Sequence, residues 1–496
     1  MNATRHSLLF SFAEKYTVLL LGIVATMMLS RLLTPAEVGV YSLGAVLVAL
    51  AQVVRDFGVG QYLIQEKQLD RPKLRAALAT SVLVAWLLAA LVLAGSGPLA
   101  RFYDEPRLRL VLQLLSINFV LIPFSALTMP MLRRQLRFRA IYLINAANSV
   151  TNLLAAVGLA LLGYSYMSMV WAALAGTLAS LLASLALRPR ELSWLPGTKG
   201  MRAIAAFGAV STGGGLIDEA SVAAPDLIIG KLIGIESLAL FGKAQSVLNM
   251  FNQLITSAIS PVVFPLFAQH DREKAQRGQG GAAPAYLRTV SYMTALAWPF
   301  FFFLACMALP LVKLLYGQQW LACVPLIRIM CLSSAMYSMF SMARYLLVAT
   351  GQLRVQVGID AWAGALKVAL VLAAAPLGLV AVAWAVMASL LLRSWLVYRA
   401  LRTVSGLDWR RLLRTVHKSL LLCGVMAPAP VLVSLWLPRD LPQATPLLML
   451  LTLLVTALAS LLCWIVGIFL LKHELAAELM LLQRKLTGRL AARTPP

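Results

Sequence analysis

The sequence is poor in charged residues and in the residue types from which soluble enzymes build catalytic or metal sites. Only 12% of its 496 residues are Asp, Glu, Lys or Arg, and it contains four histidines and five cysteines. The cysteines lie in or beside apolar runs and form no C-x-x-C pair, so neither a disulfide framework nor a metal site is indicated. No phosphate-binding glycine loop or Ser-His-Asp set is recognisable. We therefore expect no cofactor and no metal, and the composition excludes an ordinary soluble domain.

Acidic side chains are scarcer still. The chain has 19 Asp and Glu against 43 Lys and Arg, which gives a formal net charge of +24. Such an excess of positive charge is found in nucleic-acid-binding proteins, but here the basic residues cluster in short loops between apolar runs. That distribution is typical of the cytoplasmic loops of membrane proteins. We expect membrane lipid, and no nucleic acid, as a partner.

Long apolar runs dominate what the sequence does contain. Hydrophobic residues make up 60% of the chain, and the mean hydropathy is +0.82. Because a spanning helix needs about 20 mostly apolar residues, the pattern predicts an all-α polytopic membrane protein with about 14 transmembrane helices. The predicted spans are 9–30, 38–64, 76–97, 108–130, 141–163, 167–187, 203–224, 237–266, 288–309, 323–348, 355–375, 380–398, 419–437 and 447–471.

The loop charges predict the orientation of these spans. If the amino terminus is cytoplasmic, about two thirds of the Lys and Arg residues lie in the cytoplasmic loops and only about a sixth in the outer ones. Both termini are therefore expected in the cytoplasm. The basic loops "RRQLRFRA" and "WRRLLRTVHK" and the amphipathic tail "KHELAAELMLLQRKLTGRL" are expected to meet the anionic inner leaflet.

Internal similarity indicates a duplication. Residues 30–48, "SRLLTPAEVGVYSLGAVLV", align without a gap with residues 230–248, "GKLIGIESLALFGKAQSVL", and two shorter similarities follow in the same order. Three matches in order indicate two six-helix repeats with the same membrane orientation. We predict an N-lobe over 1–202 (helices 1–6), a C-lobe over 203–400 (helices 7–12), and an appendage over 401–496 that contains helices 13 and 14 and the tail.

A duplicated helical bundle without a soluble domain is typical of a transporter. A membrane enzyme of polysaccharide assembly is the less favoured class, because the predicted outer loops are about a dozen residues or shorter and hold few acids. The pair Asp104 and Glu105 is better explained as a turn. The sequence therefore predicts that the chain is not an enzyme.

Two stretches resemble one family of transporters. The stretch "SRLLTPAEVGVYSLGAVLVALAQVVRDFGVGQYLIQ" (30–65) and the stretch "LYGQQWLACVPLIRIMCLSSAMYSMFSMARYLLVATGQLR" (315–354) are similar to landmarks of the polysaccharide transport family, the Wzx-type flippases for lipid-linked oligosaccharides. The resemblance covers roughly residues 5 to 400. The family belongs to the superfamily of multidrug, oligosaccharidyl-lipid and polysaccharide exporters, which also contains the lipid II flippase.

This resemblance implies both a fold and a function. It implies two six-helix lobes arranged as a V around a central cavity, plus two C-terminal helices. It also implies alternating access that moves an undecaprenyl-pyrophosphate-linked repeat unit from the cytoplasmic to the periplasmic leaflet of the bacterial inner membrane, for exopolysaccharide, capsule or O-antigen synthesis. A polysaccharide polymerase and a chain-length regulator are the implied protein partners. An ion-coupled drug or small-molecule antiporter of the same superfamily is the alternative.

Charged residues inside the spans are the candidate functional residues, because a charge facing lipid is costly. Two interpretations apply to Glu14, Lys15, Arg55 and Asp56. In the first, a pair of Lys15 with Asp56, or of Glu14 with Arg55, ties two helices together. In the second, at least one of the four contacts the substrate or a coupling ion. The charged residues within the spans are Glu14, Lys15, Arg55, Asp56, Asp218, Glu219, Lys243, Arg328, Arg344, Asp360, Lys367 and Arg393.

The expected substrate divides these residues into groups. A diphosphate calls for cations, which Lys15, Arg55 and Lys243 supply, whereas sugars call for amides, hydroxyls and aromatic rings. The predicted sugar-binding residues are Tyr16, Gln52, Asn249, Asn252 and Gln253. The acids Glu14, Asp56, Asp218 and Glu219 are assigned to ion coupling or to structural charge pairs. Structural pairing, such as Asp360 with Lys367 or Arg344, is favoured for the charges of helices ten to twelve.

Overall fold

The computed structural model describes residues 2–277, 282–436, 446–478 and 480, and every regular element in these ranges is helical. The prediction of an all-α protein is therefore confirmed. The chain divides into two compact units, one formed by residues 1–242 with 315–319 and the other by residues 243–314 with 320–496. These units follow spatial contact, and the lobe boundaries at 202/203 and 400/401 stay a prediction.

Ten α-helices lie wholly within the first unit. They are α1 (Asn2–Leu32), α2 (Pro35–Asp56), α3 (Val59–Gln65), α4 (Arg71–Phe102), α5 (Arg107–Leu121), α6 (Pro123–Ala126), α7 (Thr128–Arg134), α8 (Phe138–Leu161), α9 (Met167–Ala186) and α10 (Met201–Leu232).

Helix α11 (Ile235–Phe251) begins in the first unit and ends in the second. A π-helical turn follows over Asn252–Thr256, and short 3-10 helices occur at Gln318–Cys323 and Ala375–Leu377. The remaining α-helices are α12 (Ser257–Arg277), α13 (Ala282–Cys306), α14 (Ala308–Leu315), α15 (Val324–Ser338), α16 (Ala343–Ala349), α17 (Leu353–Ala374), α18 (Leu379–Ser405), α19 (Trp409–Met426), α20 (Pro428–Trp436) and α21 (Pro446–Leu470).

The helices are long and apolar enough for a multi-pass membrane protein. Among the described residues, ten helical segments have the length and composition of a membrane span, and the number rises to 12 if two bent pairs, α5 with α6–α7 and α19 with α20, each count as one span. The predicted count of 14 is not confirmed. The two remaining predicted spans, 203–224 and 237–266, do form helices (α10, α11 and α12), but their polar residues keep them below the apolar composition of the others.

The start of α2 explains the "TPAE" sequence (34–37) of the first landmark. Thr34 is the N-cap: its hydroxyl accepts a hydrogen bond from the Glu37 backbone N–H, and the Glu37 carboxylate accepts one from the Thr34 backbone N–H at 2.7 Å. Pro35 occupies the first helical position, where no donor is needed. Helix α11 begins at Ile235, 200 residues after Pro35, the same offset as the internal repeat.

Within the first unit, helices that are neighbours in sequence are not always neighbours in space. Helix α1 packs along α8, and α8 packs along α9, whereas α2 packs against α10 and α5. Glycines allow the close approach of α2: a Cβ atom at Gly39 would lie 2.1 Å from the Ile235 carbonyl oxygen. Among the described helices, α1 does not pack along α2.

In the second unit, the last helices are part of the packed body. Helix α19 packs against α13 and α21, and the Trp464 indole donates a hydrogen bond to the Ala295 carbonyl at 2.9 Å. After α21, the buried His473 ring lies 3.2 Å from the Ser419 hydroxyl. The predicted appendage is thus joined to α13 by a polar network. The predicted membrane-surface tail lies largely outside the described residues, and its first part packs against this unit.

Candidate functional site

The first landmark (30–65) contains a helix break between α2 and α3. Helix α2 stops at Asp56, and the next two residues adopt the left-handed conformation, with φ 40° at Phe57 and φ 59° at Gly58. Gly58 adopts this conformation without strain, whereas a phenylalanine does so only where packing holds it. Helix α10 supplies that packing, since a Cβ atom at Gly208 would lie 2.4 Å from the Phe57 ring.

Arg55 and Asp56 lie in the last turn before this break and contact each other. The Arg55 Nε donates a hydrogen bond to the Asp56 Oδ1 at 3.0 Å. The two side chains differ in access, because 15% of the Arg55 side chain is exposed and 70% of the Asp56 side chain. The Asp56 carboxylate is therefore accessible from outside the helix, and the Arg55 guanidinium lies beside it.

Glu14, the other predicted acid of this region, has its partner on a different helix. The Asn145 Nδ2 on α8 donates a hydrogen bond to the Glu14 Oε1 at 2.6 Å. One turn away on the same two helices, the rings of Phe10 and Tyr142 lie 6.2 Å apart. Among the described contacts, Glu14 does not pair with Arg55, because α1 packs on α8 and not on α2. Asn145 was missed by sequence reasoning, since an isolated amide in an apolar span carries no pattern.

The remaining predicted residues of the first unit lie on three helices. Tyr16 and Gln52 are exposed, and Lys15 is half-buried on α1. On α10, Asp218 is exposed and Glu219 is half-buried. One turn beyond Gly208 on α10, the Ser211 hydroxyl donates a hydrogen bond to the Gln61 side-chain oxygen at 3.1 Å. Ser211 and Gln61 add polar groups near the helix break and were not predicted.

In the second unit, the predicted amides share one face of a continuous helix. Asn249, Asn252 and Gln253 are all exposed and follow the i, i+3, i+4 spacing. The Asn252–Thr256 segment is π-helical, and the Thr256 hydroxyl donates to the Asn252 side-chain oxygen at 3.2 Å. Single π-turns within α-helices occur frequently at functional sites.

Lys243 lies two turns before these amides and contacts an aromatic residue. Its Nζ is 5.0 Å from the centroid of the buried Trp320 ring, within the range of a cation–π interaction. The indole face thus stabilises the ammonium group in an apolar setting. Trp320 lies four residues after Tyr316 in the second landmark, and its contact with Lys243 was not predicted from the sequence.

Asp360 on α17 is the centre of the largest described charge cluster of the spans. Its carboxylate is 2.7 Å from the Arg393 Nη2 and 3.6 Å from the Arg344 Nη1, and the Gln356 amide donates to it at 2.8 Å. Arg393 also donates to the Tyr337 hydroxyl at 3.0 Å. The predicted pairing of Asp360 with Arg344 is confirmed, and the shorter pair with Arg393 was missed.

Comparison with known proteins identifies the kind of protein to which these features belong. A family model described as "Polysaccharide biosynthesis protein" matches residues 28–325. The teichuronic acid biosynthesis protein TuaB of Bacillus subtilis is 22% identical over 63% of this chain and 64% of its own length. The succinoglycan biosynthesis transport protein ExoT of Rhizobium meliloti is 23% identical, and the lipopolysaccharide biosynthesis protein WzxC of Escherichia coli 22%. These matches span less than two thirds of each relative.

Solved structures with the same fold are more distant in sequence. A structure of the lipid II flippase MurJ superimposes with a TM-score of 0.73 over 93% of this chain and 99% of that one, at 13% identity. A multidrug MATE transporter of the MOP superfamily gives a TM-score of 0.60 over 78% of this chain and 96% of that one, at 15% identity. The expected superfamily fold is thereby confirmed. Since the family model matches well over half of the sequence, the chain belongs to the polysaccharide biosynthesis protein family of multi-pass membrane proteins.

Proposed function

We propose that this protein is a flippase for a lipid-linked oligosaccharide. It moves an undecaprenyl-pyrophosphate-linked repeat unit from the cytoplasmic to the periplasmic leaflet by alternating access, for the synthesis of a surface polysaccharide. The observation that carries the proposal is the family match over residues 28–325 of a chain with the transporter fold. The inner membrane as location, cytoplasmic termini, and a polymerase and chain-length regulator as partners are parts of the same proposal.

The chemistry of such a substrate fits the polar residues of the spans. The diphosphate is anionic, so we assign it to the basic residues Arg55 and Lys15 of the first unit, and we retain Lys243 of the second as a further candidate. Arg55 suits this role because its planar guanidinium binds phosphate oxygens in a bidentate way. The exposed side chains suited to hydrogen-bonding or stacking with sugars are Tyr16, Gln52, Asn249, Asn252 and Gln253.

The membrane potential is a sufficient energy source for an anionic substrate. No nucleotide-hydrolysing motif is recognisable in the sequence. An inside-negative potential contributes about 2.3 kcal/mol per charge per 100 mV toward outward movement of an anion. The acids Asp56, Asp218 and Glu219 supply sites at which a proton or sodium ion adds to this force. The sequence also predicts Glu14 as a member of this group of ion-coupling or charge-pairing acids.

A second candidate function, export of cationic small molecules, has its own supporting observation. The fold is shared with multidrug transporters, and the Asp56 carboxylate is 70% exposed, as an acidic drug site requires. The two functions differ in the sign of the charge that the site must attract. Arg55 beside Asp56 cancels the charge of this carboxylate, which weakens its attraction for a cationic substrate.

Reconstitution tests both functions together. The purified protein is placed in liposomes that contain a fluorescent undecaprenyl-pyrophosphate oligosaccharide, and the labelled lipid that a membrane-impermeant reagent reaches is measured over time. We expect faster exposure than in protein-free liposomes, with acceleration by a potential that is negative on the donor side. Uptake of a cationic dye with no movement of the labelled lipid would favour the antiporter instead.

Reporter fusions test the proposed orientation. Because the loop charges are strongly asymmetric, a reporter that is active only in the cytoplasm should work after Arg202 and fail after Asp104. The reverse pattern at both positions would contradict cytoplasmic termini.

A further inference from the structure

The contact between α1 and α8 combines the groups that proteins use to bind sugars. Glu14 on α1 supplies a carboxylate, which only accepts hydrogen bonds, and Asn145 on α8 supplies an amide, which both donates and accepts. The two are 2.6 Å apart. One turn along the same helices, the aromatic rings of Phe10 and Tyr142 form a pair 6.2 Å apart. A carboxylate, an amide and two aromatic rings thus lie together where α1 packs on α8, a contact that we call the α1–α8 seam.

The Glu14 carboxylate needs more than this one amide. A carboxylate within an apolar helix is costly unless it is paired, hydrogen-bonded on several sides or in contact with water. Among the described residues, Glu14 forms no ion pair, and its one described hydrogen bond is with Asn145. Both residues are only partly buried, so a ligand can reach them. The second carboxylate oxygen is therefore available to accept hydrogen bonds from a ligand.

Sugar hydroxyls fit this arrangement better than a metal cation does. A bound metal requires several converging ligands, and no group of three or more His, Cys, Asp or Glu residues is found among the described residues. Neighbouring sugar hydroxyls instead donate to a carboxylate and accept from an amide, while the apolar face of the ring packs on an aromatic side chain.

We propose that Glu14 and Asn145 form a glycan subsite, separate in function from the residues that bind the diphosphate. Glu14 contacts a sugar hydroxyl directly, and Asn145 both contacts the sugar and holds the carboxylate in position. This inference rests on the proposed flippase function, because it names the part of that substrate that the seam recognises. Arg55, on α2, binds the diphosphate, which is common to all undecaprenyl-diphosphate-linked substrates.

A neighbouring asparagine on α8 provides a matched control. Asn148 lies one turn from Asn145 but faces α9: a Cβ atom at Gly176 would lie 3.3 Å from its side-chain oxygen. Asn145→Ala and Asn148→Ala remove the same atoms from the same helix, and only the first change touches the seam between α1 and α8.

The test uses two ligands that differ only in the sugar. Binding of the undecaprenyl-pyrophosphate oligosaccharide and of undecaprenyl diphosphate is measured on the full-length protein in detergent, for the wild type, Glu14→Gln, Asn145→Ala, Asn148→Ala and Arg55→Gln. Because a hydrogen bond to a charged group is lost, Glu14→Gln and Asn145→Ala should weaken binding of the oligosaccharide lipid by about tenfold or more. Their affinity for undecaprenyl diphosphate should stay within about twofold of wild type. Arg55→Gln should weaken both ligands, and Asn148→Ala neither.

Exchange of the two groups separates a direct role from a loss of structure. The double variant Glu14→Gln with Asn145→Asp restores a carboxylate–amide pair across the seam and should recover most of the affinity for the oligosaccharide lipid. Equal loss of both ligands in Glu14→Gln and Asn145→Ala, or no loss of either, would overturn the glycan subsite while leaving the flippase function intact. If the wild type neither binds nor moves the oligosaccharide lipid, the proposed function itself fails.

Discussion

Two sets of charged residues in the spans differ in how completely their partners are supplied by the protein. In the second unit, the Asp360 carboxylate pairs with Arg393 and Arg344 and accepts a hydrogen bond from the Gln356 amide, and only 16% of its side chain is exposed. In the first unit, Asp56 has a single described contact, with the adjacent Arg55, and 70% of its side chain is exposed. A carboxylate satisfied on several sides stabilises a fold. One that contacts a single neighbour and is accessible remains available to a ligand or ion.

The strongest way to break this comparison is to neutralise each carboxylate in turn. Asp360→Asn leaves two guanidinium groups without their anion and should lower the free energy of unfolding by about 3–5 kcal/mol. Asp56→Asn changes a side chain that is itself 70% exposed and should cost about 1 kcal/mol or less. Protein abundance and melting temperature in detergent measure the difference, and equal stability of the two variants would contradict the distinction.

Arg55 provides the next largest expected effect, on transport and not on folding. Arg55→Gln should slow movement of the labelled lipid about tenfold to a hundredfold, because charge-assisted bonds to phosphate are lost. Its melting temperature should remain near that of wild type. Arg328→Gln, which alters an exposed arginine on α15, is the control and should retain transport.

A double change checks the competing explanation of Arg55. The described contacts pair Glu14 with Asn145 and Arg55 with Asp56, so removing both the Glu14 and the Arg55 charge should not restore an active protein. We expect Arg55→Ala with Glu14→Ala to fold and remain inactive in the same transport assay. Recovered transport would contradict the assigned role.

Two glycines of α10 sharpen the comparison at the helix break. A Cβ atom at Gly208 would lie 2.4 Å from the Phe57 ring and 2.5 Å from its carbonyl oxygen, whereas nothing lies within 4 Å of one at Gly213. Gly208→Ala should therefore destabilise the protein by about 1–3 kcal/mol through overpacking. Gly213→Ala should be neutral or stabilise the helix by up to about 1 kcal/mol. Chemical unfolding curves distinguish these signs, and two stabilised variants would argue against the contact with Phe57.

The smallest effect concerns His473, which lies after the last span. Burial lowers the pKa of this imidazole below its usual range, and among the nearby charges Glu474 opposes that effect while Lys418 and His417 add to it. Because the unfolded chain then binds the proton more readily, stability should be full above the ordinary pKa and fall as the pH drops below it. The melting temperature of wild type should decrease from about pH 8 to about pH 5 by more than that of His473→Asn. An identical decrease in both proteins would remove His473 as its source.

Sequence reasoning predicted the residue types of the site better than their partners. The basic and acidic residues of α1 and α2 stand out because they interrupt apolar runs, and that signal is independent of packing. Their pairing depends on which helices touch, and α1 packs on α8, which lies more than a hundred residues away. For the same reason Asn145 was missed. Arg393 was predicted to form a structural pair but was not assigned to Asp360, whereas Arg344 was.

The number of spans shows a second limit. Hydropathy predicts helices correctly at α10, α11 and α12. The polar residues of these helices, which include candidate site residues, also lower their hydropathy below that of the other spans. Bends at Pro123 and Pro428 likewise divide two predicted spans into bent pairs. Helix formation follows from local sequence, but the path of each helix through a bilayer depends on the neighbours that cover its polar residues.

The length of α2 has a consequence for how a substrate is captured. At about 1.5 Å per residue, Arg55 lies about 30 Å from Pro35 along the helix, and Glu14 lies about 27 Å from the end of α1 at Leu32. Both distances approach the thickness of the hydrocarbon layer, which is about 30 Å. In the proposed orientation, these side chains therefore lie in the cytoplasmic part of their spans, close to the inner-leaflet headgroups, where the diphosphate of a lipid-linked sugar already resides. Loading then requires mostly sideways diffusion, and most of the perpendicular movement is left to the transport step.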